Sequence, residues 1–358
     1  MEPASARTAR PAVPETLGAV YHEAMRIGKR VIVAGGANLD IQGRSHSRFL
    51  PADSNPGKVS RYPGGVGRNI AENLARLGFE VQLISAFGDD AEGASLIEDC
   101  RSKGIDCSLS PRTSQPTPSY LCLLDPRGIL VGAVADMEAM DEIDPAYFES
   151  RASDLEKADW IVADANLRPD SLSWLAARFG RRSENRRCKL FFDPVSATKA
   201  MRAAPFFGDF DCAKPNRAEA LALAGMAQEA ALKATREAAL KAAQEAARAL
   251  ATSGRLPRSL YISLGEEGIY CAESPGVLVH YARPEALPRA VNGSGAGDSA
   301  CAAILWAESE GYSPAERAEF ALTASALTAA APEPVSPRMS PEALIELRKR
   351  LFGEEASR

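Results

Sequence analysis

Short apolar runs alternate with amphipathic segments along most of the chain. Val31 to Ala34 form one such run and end at Gly35-Gly36, and EVQLISAFG, ADWIVADAN, CKLFFDPVS and RSLYISLG have the same character. Each run predicts a buried strand. The segment VGRNIAENLARLG instead repeats its apolar residues with a helical period and stops at Gly78, which predicts a helix. The alternation predicts an α/β fold with a mostly parallel sheet covered by helices on both faces.

Three segments depart from that alternation. The residues after Ile41 are polar and rich in turn formers, which predicts short strands and loops. The stretch SYLCLLDPRGILVGAV has two apolar runs around the turn Asp125 to Gly128 and predicts a hairpin. The Ala-rich stretch Glu229 to Leu250 predicts a helix, which we interpret as an elongated surface helix, with a partner-binding surface as the alternative.

Composition and charge exclude several classes of protein. The chain has 358 residues, of which 46% are hydrophobic and 25% are charged, as is typical of a globular protein. A net charge of −5 argues against nucleic-acid binding, and no apolar run is long enough to cross a membrane. Residues 1–29 lack the apolar core of a secretory signal and are interpreted as an N-terminal tail, with 353–358 as a C-terminal tail.

The positions of the cysteines and histidines indicate a cellular compartment and argue against a transition-metal site. The seven cysteines are scattered, and no pair has CxxC spacing, which favours reduced thiols in a cytoplasmic protein. The three histidines are far apart in the sequence and do not form a zinc pattern. A transition-metal site is therefore not expected.

The residues that follow each predicted strand are the first candidates for a binding site. Ligands of parallel sheets bind beyond the carboxyl ends of the strands, where side chains from several strands meet. The polar and glycine residues at these points are Asn38, Asp40, Asp164, Asn166, Asp193, Lys214, Asn216, Ser263 and Gly265.

The stretch VNGSGAGDSACAAILWA combines glycines with a carboxylate directly before a predicted helix. Glycines there allow successive backbone N–H groups to point into one concavity, at the positive end of the helix dipole, which predicts an anion-binding nest. The chain has no GxxxxGK[ST] loop. Asp298 would repel a phosphate unless it takes a proton from an attacking hydroxyl, which predicts a general base. The alternative is a helix-capping aspartate on a tight turn.

Four motifs in order resemble the ribokinase-like, or PfkB, family of carbohydrate and nucleoside kinases. They are GGVGRN, KPNRAE, SLGEEG and GAGDS, and the resemblance spans about Arg30 to Leu351. One departure is Asn292-Gly293-Ser294, where the family often has DTx before GAGD. The resemblance implies a three-layer α/β/α sandwich with a mostly parallel central sheet. It also implies a kinase domain at 30–352 and a small β-sheet lid built from segments near 39–63 and 113–137.

Finer details are similar to the pseudouridine kinases within that family. They include GGANLDI, SYLCLLDPRGILVGAVADM and FFDPVSATK, whereas ribokinases usually have Lys at the position of Val66. The implied reaction is ATP-dependent phosphoryl transfer to the 5′-hydroxyl of pseudouridine. The alternatives are ribokinase, adenosine or inosine kinase, another sugar kinase of the family, or a catalytically silent ligand-binding sensor. The resemblance also implies Mg²⁺ and a homodimer formed through the lid, and leaves a monovalent cation such as K⁺ open.

The resemblance, together with the chemistry, gives roles on the nucleotide side. Asp298 is the expected base, and the N–H groups of Gly295, Ala296 and Gly297 are the expected anion hole. Asn216 and Glu219 are expected near the nucleotide phosphates, where they would hold Mg²⁺ through water; a helix-capping pair is the alternative, and both can hold. The other expected phosphate contacts are Lys214, Ser263, Gly265 and Gly268, with a plain strand-ending turn as the alternative for Ser263 and Gly265.

On the acceptor side, Asp40 is expected to bind the ribose hydroxyls, because a carboxylate can accept from two neighbouring O–H groups. Paired glycines permit a close approach of the backbone to a ligand. Asp136 is expected to reach the substrate from the lid, with a solvated loop residue as the alternative. Lys199 is either a phosphate contact or a surface lysine. The remaining expected substrate contacts are Asn38, Gly64, Gly65, Asn69 and Asn166. A plain loop is the alternative for Asn38 and Asp40, and a turn residue is the alternative for Asn166.

Overall fold

The structure, a computed structural model, describes residues 28–184, 186–227, 235–273, 277–287 and 293–353. The strands in these ranges are β1 Arg30–Ala34, β2 Asn38–Ser45, β3 Gly57–Gly64, β4 Glu80–Ile84, β5 Phe87–Gly88, β6 Ile105–Asp106, β7 Arg112–Thr113, β8 Ser119–Leu124, β9 Leu130–Asp136, β10 Trp160–Asp164, β11 Lys189–Asp193, β12 Cys212–Ala213, β13 Ser259–Ser263, β14 Ile269–Glu273 and β15 Val277–Tyr281.

The α-helices in the same ranges are α1 Val66–Arg76, α2 Ala91–Ser102, α3 Pro145–Ser150, α4 Ala152–Leu155, α5 Pro169–Phe179, α6 Ala197–Ala200, α7 Arg217–Leu223, α8 Arg236–Thr252, α9 Ala296–Ser309, α10 Pro314–Ala329 and α11 Pro341–Phe352. Three 3₁₀ helices span Glu138–Glu142, Met201–Asp209 and Gly265–Glu267. None of the helices in the described ranges combines the length and apolar character needed to span a membrane.

A nine-stranded sheet forms the centre of the molecule, in the order β15-β14-β13-β12-β11-β10-β1-β4-β6. Every pair from β13 to β6 is parallel, and near one edge β14 pairs antiparallel with both β13 and β15. The prediction of a mostly parallel sheet is confirmed. The β14–β15 hairpin and the two-residue strands β6 and β12 were not predicted.

Both faces of the sheet are buried under helices. On β1, Ile32 packs into one apolar cluster with residues of α5, α7 and α8, whereas Val31 and Val33 pack into a second with residues of α1, α9 and α10. Side chains alternate between the faces of a strand, so a central strand covered on both sides reads as a continuous apolar run. The three-layer α/β/α sandwich is confirmed.

A separate four-stranded sheet, called here the small sheet, has the order β3-β2-β8-β9. Its strands lie in or directly beside the predicted segments 39–63 and 113–137. Across the strands, Asp40 pairs with Tyr62 and Tyr120, which places these three on one face. Leu121, which is exposed, points to the opposite face. The small sheet therefore has a polar face and an apolar face.

The predicted Ala-rich helix at 229–250 lies partly outside the described residues, since 228–234 are not described. Helix α8 covers the rest, and Ala243, Ala247 and Leu250 are buried in the core. The interpretation as a surface helix thus holds for only one of its faces. Of the two expected tails, 1–27 and 354–358 lie outside the described residues.

Candidate active site

The N-terminus of α9 has the geometry of an anion site. Gly295 precedes the helix with φ +75, and a Cβ there would overlap the carbonyl oxygen of Pro334, so only glycine fits. The N-cap residue, Gly295, has no side chain that could cap this helix end. The first N–H groups of a helix have no partner within the helix and lie at its positive end. The N–H groups of Gly295, Ala296 and Gly297 can therefore bind an anion.

Asp298 lies in the first turn of α9 and is only 9% exposed. Its Oδ2 accepts a hydrogen bond of 2.9 Å from Nδ2 of Asn69, on α1. Burial raises the pKa of Asp298 to about 7, and the negative charge of Asp193 adds to this, whereas Asn69 and Lys214 oppose it. A carboxylate with a pKa near neutral pH can accept a proton efficiently, as a general base must.

The pair Asn216 and Glu219 forms a reciprocal cap on α7. Oδ1 of Asn216 accepts from the Glu219 N–H at 3.0 Å, and the Glu219 carboxylate accepts from the Asn216 N–H at 2.7 Å and from its Nδ2 at 2.6 Å. The capping interpretation is therefore correct. Ser263 forms a parallel β-bridge with Asn216, so these two candidates are neighbours at the sheet edge. The ends of β12 and β13 thus bring the predicted phosphate residues together.

A cavity of about 270 Å³ lies beside this edge. Residues from β13, the 3₁₀ helix after it, β14, α9 and α10 line it, among them Ser263, Gly265, Gly268, Ala296 and Gly297. The predicted nucleotide residues after β13 and the predicted anion hole thus share one cavity. Sequence analysis missed the wall formed by α10, which includes Ser325 and Ala326.

Lys214 is the buried cation of the site. Its Nζ lies 4.0 Å from Oδ2 of Asp193 and would be 3.4 Å from a Cβ placed on Gly297. Burial by itself lowers the pKa of Lys214, but Cys301, Asp193 and the other neighbouring acids raise it above its ordinary value. Lys214 is therefore protonated, with its charge next to the first turn of α9.

Acidic side chains outnumber this cation. Burial and the charge of Asp193 raise the pKa of Glu219, which means that its ionised form lacks compensating positive charge. In the described residues, no group of three or more His, Cys, Asp and Glu side chains is spaced to hold a metal ion directly. The residues therefore fit a hard divalent ion held mostly by water and by ligand phosphates, with Asn216 and Glu219 as outer partners.

The acceptor side begins at the junction of β1, β2 and α1. Asn38 donates to Oδ1 of Asp40 at 2.6 Å, and burial raises the pKa of Asp40. Gly64 is paired with Asn38, and a Cβ on Gly64 would overlap the Asp40 carboxylate. Gly65 has φ +100 and packs on the backbone of Gly36, where no side chain fits. Two predicted substrate residues, Asn38 and Gly64, therefore lie against the Asp40 carboxylate, and a third, Gly65, follows directly in the chain.

Asn166 follows the end of β10 and lies beside Gly36, the residue on which Gly65 packs. It donates to Asp164 at 3.1 Å and accepts from Nζ of Lys199 at 2.6 Å, and a Cβ on Gly36 would touch its amide. Lys199 is thus a partner of a predicted substrate residue. Asp164 is fully buried and accepts from the Gly36 N–H at 2.9 Å, and burial raises its pKa to about 6.

Asp136 is placed differently from the other candidates. It is exposed at the end of β9, and its carboxylate accepts a 3.4 Å hydrogen bond from the Glu138 N–H. Within the described part of the chain, the structure shows no hydrogen bond between Asp136 and the other predicted substrate residues. The neighbouring Met137 comes closer, because its methyl group would contact a Cβ on Gly36.

The polar face of the small sheet lines a second cavity, of about 540 Å³. Its walls include Asp40, Gln42, Tyr62, Tyr120 and, from the loop before α9, Ser294. Sequence analysis missed the tyrosines, although the two-residue alternation around Asp40 in β2 is a signal that points to this face. The second cavity therefore approaches the first at the loop before α9, where Ser294 follows Gly293 of the first cavity.

Two further residues were not given roles from the sequence. Asp193, singled out only as a strand-end residue, accepts from Sγ of Cys301 at 3.1 Å and acts on the pKa of Asp298. Arg68 lies inside GGVGRN and contacts Asn69, Glu72 and Asp99. All seven cysteines are free in the structure.

Comparison with known proteins gives evidence on the family and the fold that does not depend on the geometry of the site. The profile of the pfkB family carbohydrate kinases matches residues 29–340. The chain is 33% identical over 306 residues to the pseudouridine kinase of Escherichia coli (strain K12), an alignment that covers 85% of this chain and 91% of that protein. It is 30% identical over 317 residues to the uncharacterized sugar kinase YeiI of the same organism, covering 88% and 82%.

Solved structures agree on the fold. The ribokinase of Thermotoga maritima superposes with a TM-score of 0.73 at 21% identity, covering 90% of this chain and 99% of that chain. At this identity the likeness supports a ribokinase-like fold and nothing finer. The family match, by contrast, extends over most of the chain and identifies the kind of protein: this chain belongs to the pfkB family of carbohydrate kinases, and is a phosphotransferase that acts on an alcohol acceptor.

Proposed function

We propose that this kinase transfers the terminal phosphoryl group of ATP to the 5′-hydroxyl of a nucleoside, and that the nucleoside is pseudouridine. One observation carries the proposal: two cavities, one beside the predicted phosphate residues and one beside Asp40, approach each other at Gly293 and Ser294, directly before α9. A phosphoryl group passing between them would cross the N-terminus of α9, whose first turn carries Asp298. The choice of pseudouridine is supported by the similarity to the pseudouridine kinase of Escherichia coli.

Asp298 acts as the general base in this proposal. Its carboxylate takes the proton of the acceptor hydroxyl as the oxygen attacks phosphorus, while Asn69 holds the carboxylate in place. The N–H groups at the start of α9 and the ammonium of Lys214 stabilise the charge on the transferring phosphoryl group. Positioning and charge stabilisation supply most of the rate enhancement in phosphoryl transfer.

The family implies ATP as co-substrate and typically Mg²⁺. The bound ion would neutralise phosphate oxygens and orient them for in-line transfer. Asn216 and Glu219 are the residues proposed to hold it through water, since they lie next to Ser263 and carry a buried carboxylate. Ser263, Gly265 and Gly268 would contact the nucleotide in the same cavity.

On the acceptor side, Asp40 would accept hydrogen bonds from two ribose hydroxyls. Asn38 already donates to Oδ1 of Asp40, which leaves the other oxygen and the remaining lone pairs for the sugar. Gly64 and Gly65 would let the sugar approach the backbone, and Asn166 would contact it from β10. Closure of the small sheet would exclude water, so that ATP phosphorylates the nucleoside instead of being hydrolysed.

A coupled ADP-release assay with Mg-ATP tests the acceptor. The panel contains pseudouridine, uridine, adenosine, inosine and ribose, each compared by kcat/KM. A preference of tenfold or more for pseudouridine is expected. Preference for ribose or for another nucleoside would keep the kinase but replace the substrate, in line with the similarity to a sugar kinase. If ATP binds but no acceptor is phosphorylated, the sensor alternative gains support.

We also propose that two copies pair through the apolar face of the small sheet. Val59, Leu121, Leu123 and Val134 are exposed there, with Val134 at 66%. Strand register places Val59 and Leu123 in one row and Leu121 and Val134 in the next, so they form a contiguous patch. Sedimentation is expected to give a dimer for the wild type and a monomer for Leu121→Asp. A monomeric wild type would contradict the pairing.

A further inference from the structure

The hydrogen bond between Asn69 and Asp298 works in only one orientation of the amide. Nδ2 donates to the carboxylate at 2.9 Å, which stabilises the ionised base. If the amide were reversed, its carbonyl oxygen would face Asp298 and would repel it, because an amide has two donors at one end and only acceptors at the other. Something must therefore hold the carbonyl end of Asn69 away from Asp298.

Arg68 is the residue in contact with that end. Its Nη1 donates to Oδ1 of Asn69 at 3.2 Å. Its Nη2 lies 2.6 Å from both Glu72, one turn along α1, and Asp99, on α2. The guanidinium is planar and its donors form a rigid fork, so two carboxylates that fix one nitrogen also fix the other. The side chain of Arg68 is only 5% exposed, which leaves it no room to turn.

We propose that Arg68 is a positioning residue for the phosphoryl transfer: it fixes the amide of Asn69 so that Nδ2, and not Oδ1, faces Asp298. The proposal rests on the proposed function, because it assumes that Asp298 is the base. Arg68 is not part of either cavity lining. Its charge also lowers the pKa of Asp40, but in the described residues it donates no hydrogen bond to that carboxylate, so its proposed effect on Asp298 passes through Asn69.

The expected consequence is a change in the ionisation of Asp298. Its hydrogen bond from Asn69 lowers the pKa of Asp298 and so opposes the effect of burial. If the amide is free to rotate, part of this lowering is lost and the pKa rises further. The other titratable groups that face Asp298 come from β10, β11, the residue after β12, and α9 itself: Asp164, Asp193, Lys214 and Cys301. None of them contacts Arg68 through a hydrogen bond or ion pair in the described residues.

Arg68→Lys tests the proposal with the buried charge retained. One ammonium can pair with Glu72 and Asp99 but lacks the second arm that reaches Asn69. The matched control is Arg76→Lys, because Arg76 lies on the same helix and also pairs with Glu72, at 2.7 Å, without touching Asn69. The acid limb of kcat/KM is expected to move up by about one pH unit in Arg68→Lys and to stay in place in Arg76→Lys.

A double mutant separates positioning from simple damage to the fold. If Arg68 acts through Asn69, then Arg68→Lys causes no further shift in an Asn69→Ala background. The same shift in Arg76→Lys, or a full additional shift in the Asn69→Ala background, would overturn the proposal. If Arg68→Lys does not fold, Asp99→Asn replaces it, since the Asp99 carboxylate is 25% exposed and its loss loosens only one anchor of Arg68. A shift in the same direction is expected, and no shift would count against the proposal.

A readout that does not depend on turnover keeps the two proposals apart. Carbon-13 NMR of protein labelled at aspartate carboxyls, with the Asp298 signal identified by its loss in Asp298→Asn, gives the pKa of Asp298 directly. A raised pKa in Arg68→Lys supports the positioning role even if no acceptor is phosphorylated, in which case the proposed function fails alone. An unchanged pKa with active enzyme refutes the positioning role alone.

Discussion

Replacing Asp298 by Asn should remove the base and at the same time stabilise the fold. The amide keeps the size of the side chain and an oxygen that can accept from Asn69. General-base catalysis contributes about 10²–10⁴-fold, so kcat is expected to fall by that factor. The binding of ATP should survive, because the nucleotide cavity is lined by other residues.

The gain in stability follows from the pKa of Asp298. In the native state the pKa is about 7, against an ordinary value of 3.8 in the unfolded chain. Between these values the unfolded chain has released the proton while the native protein still holds it, so the wild type loses stability as pH rises, by up to about 4 kcal/mol at pH 8. Asparagine carries no charge and avoids this loss. The advantage of Asp298→Asn should therefore be larger at pH 8 than at pH 5 by about 2–3 kcal/mol.

Urea unfolding at both pH values measures this difference. Asp141→Asn, at an exposed position, serves as the control for an Asp-to-Asn change outside the site. Near-normal turnover in Asp298→Asn would refute its role as the base. A stability difference that is the same at pH 5 and pH 8 would refute the argument that burial raises the pKa of this carboxylate.

Three further outcomes are expected. Asp40→Ala should raise the KM for the nucleoside about 10–100-fold with little change in the KM for ATP, as steady-state kinetics can show; an unchanged nucleoside KM would exclude its ribose role. Gly295→Ala should abolish activity and lower the Tm, since a Cβ there overlaps Pro334, whereas a Cβ on Gly293 in the same loop meets no atom of the described residues, so Gly293→Ala should keep the wild-type Tm; equal Tm values for the two variants would contradict this. Glu219→Gln should raise the Mg²⁺ concentration needed for half-maximal rate about tenfold, measured by Mg²⁺ titration, and an unchanged requirement would speak against a role near the ion.

The parts of the fold that depend on local pattern could be predicted from the sequence. The apolar run before Gly35 is β1, and the helical period from Val66 onward is α1, which ends at Arg76 just before Gly78. Strands β6 and β12 have two residues each, too few to show a period, and only pairing with their neighbours defines them.

In the candidate site, too, some features follow from local sequence and others depend on contacts between distant segments. Motifs and strand ends pointed to Asp298, Asn69 and Asp40, because the residue types that these roles require can be identified directly in the sequence. The bond from Asn69 to Asp298 joins residues 229 positions apart, and only the packing of α1 against α9 makes it. Arg68 could not be assigned for a similar reason, since its partner Asp99 belongs to a different helix.

The most direct test of the account is to identify the phosphorylated atom. Phosphorus-31 NMR of a reaction with Mg-ATP and pseudouridine distinguishes a primary from a secondary phosphate ester, because the phosphorus couples to two protons at the 5′ carbon and to one at a secondary carbon. The account predicts a new ester signal split by two protons, with ADP in equal amount, and an appearance of this signal that is slower by about 10²–10⁴-fold with Asp298→Asn. A signal split by one proton, or free phosphate in place of an ester, would contradict it.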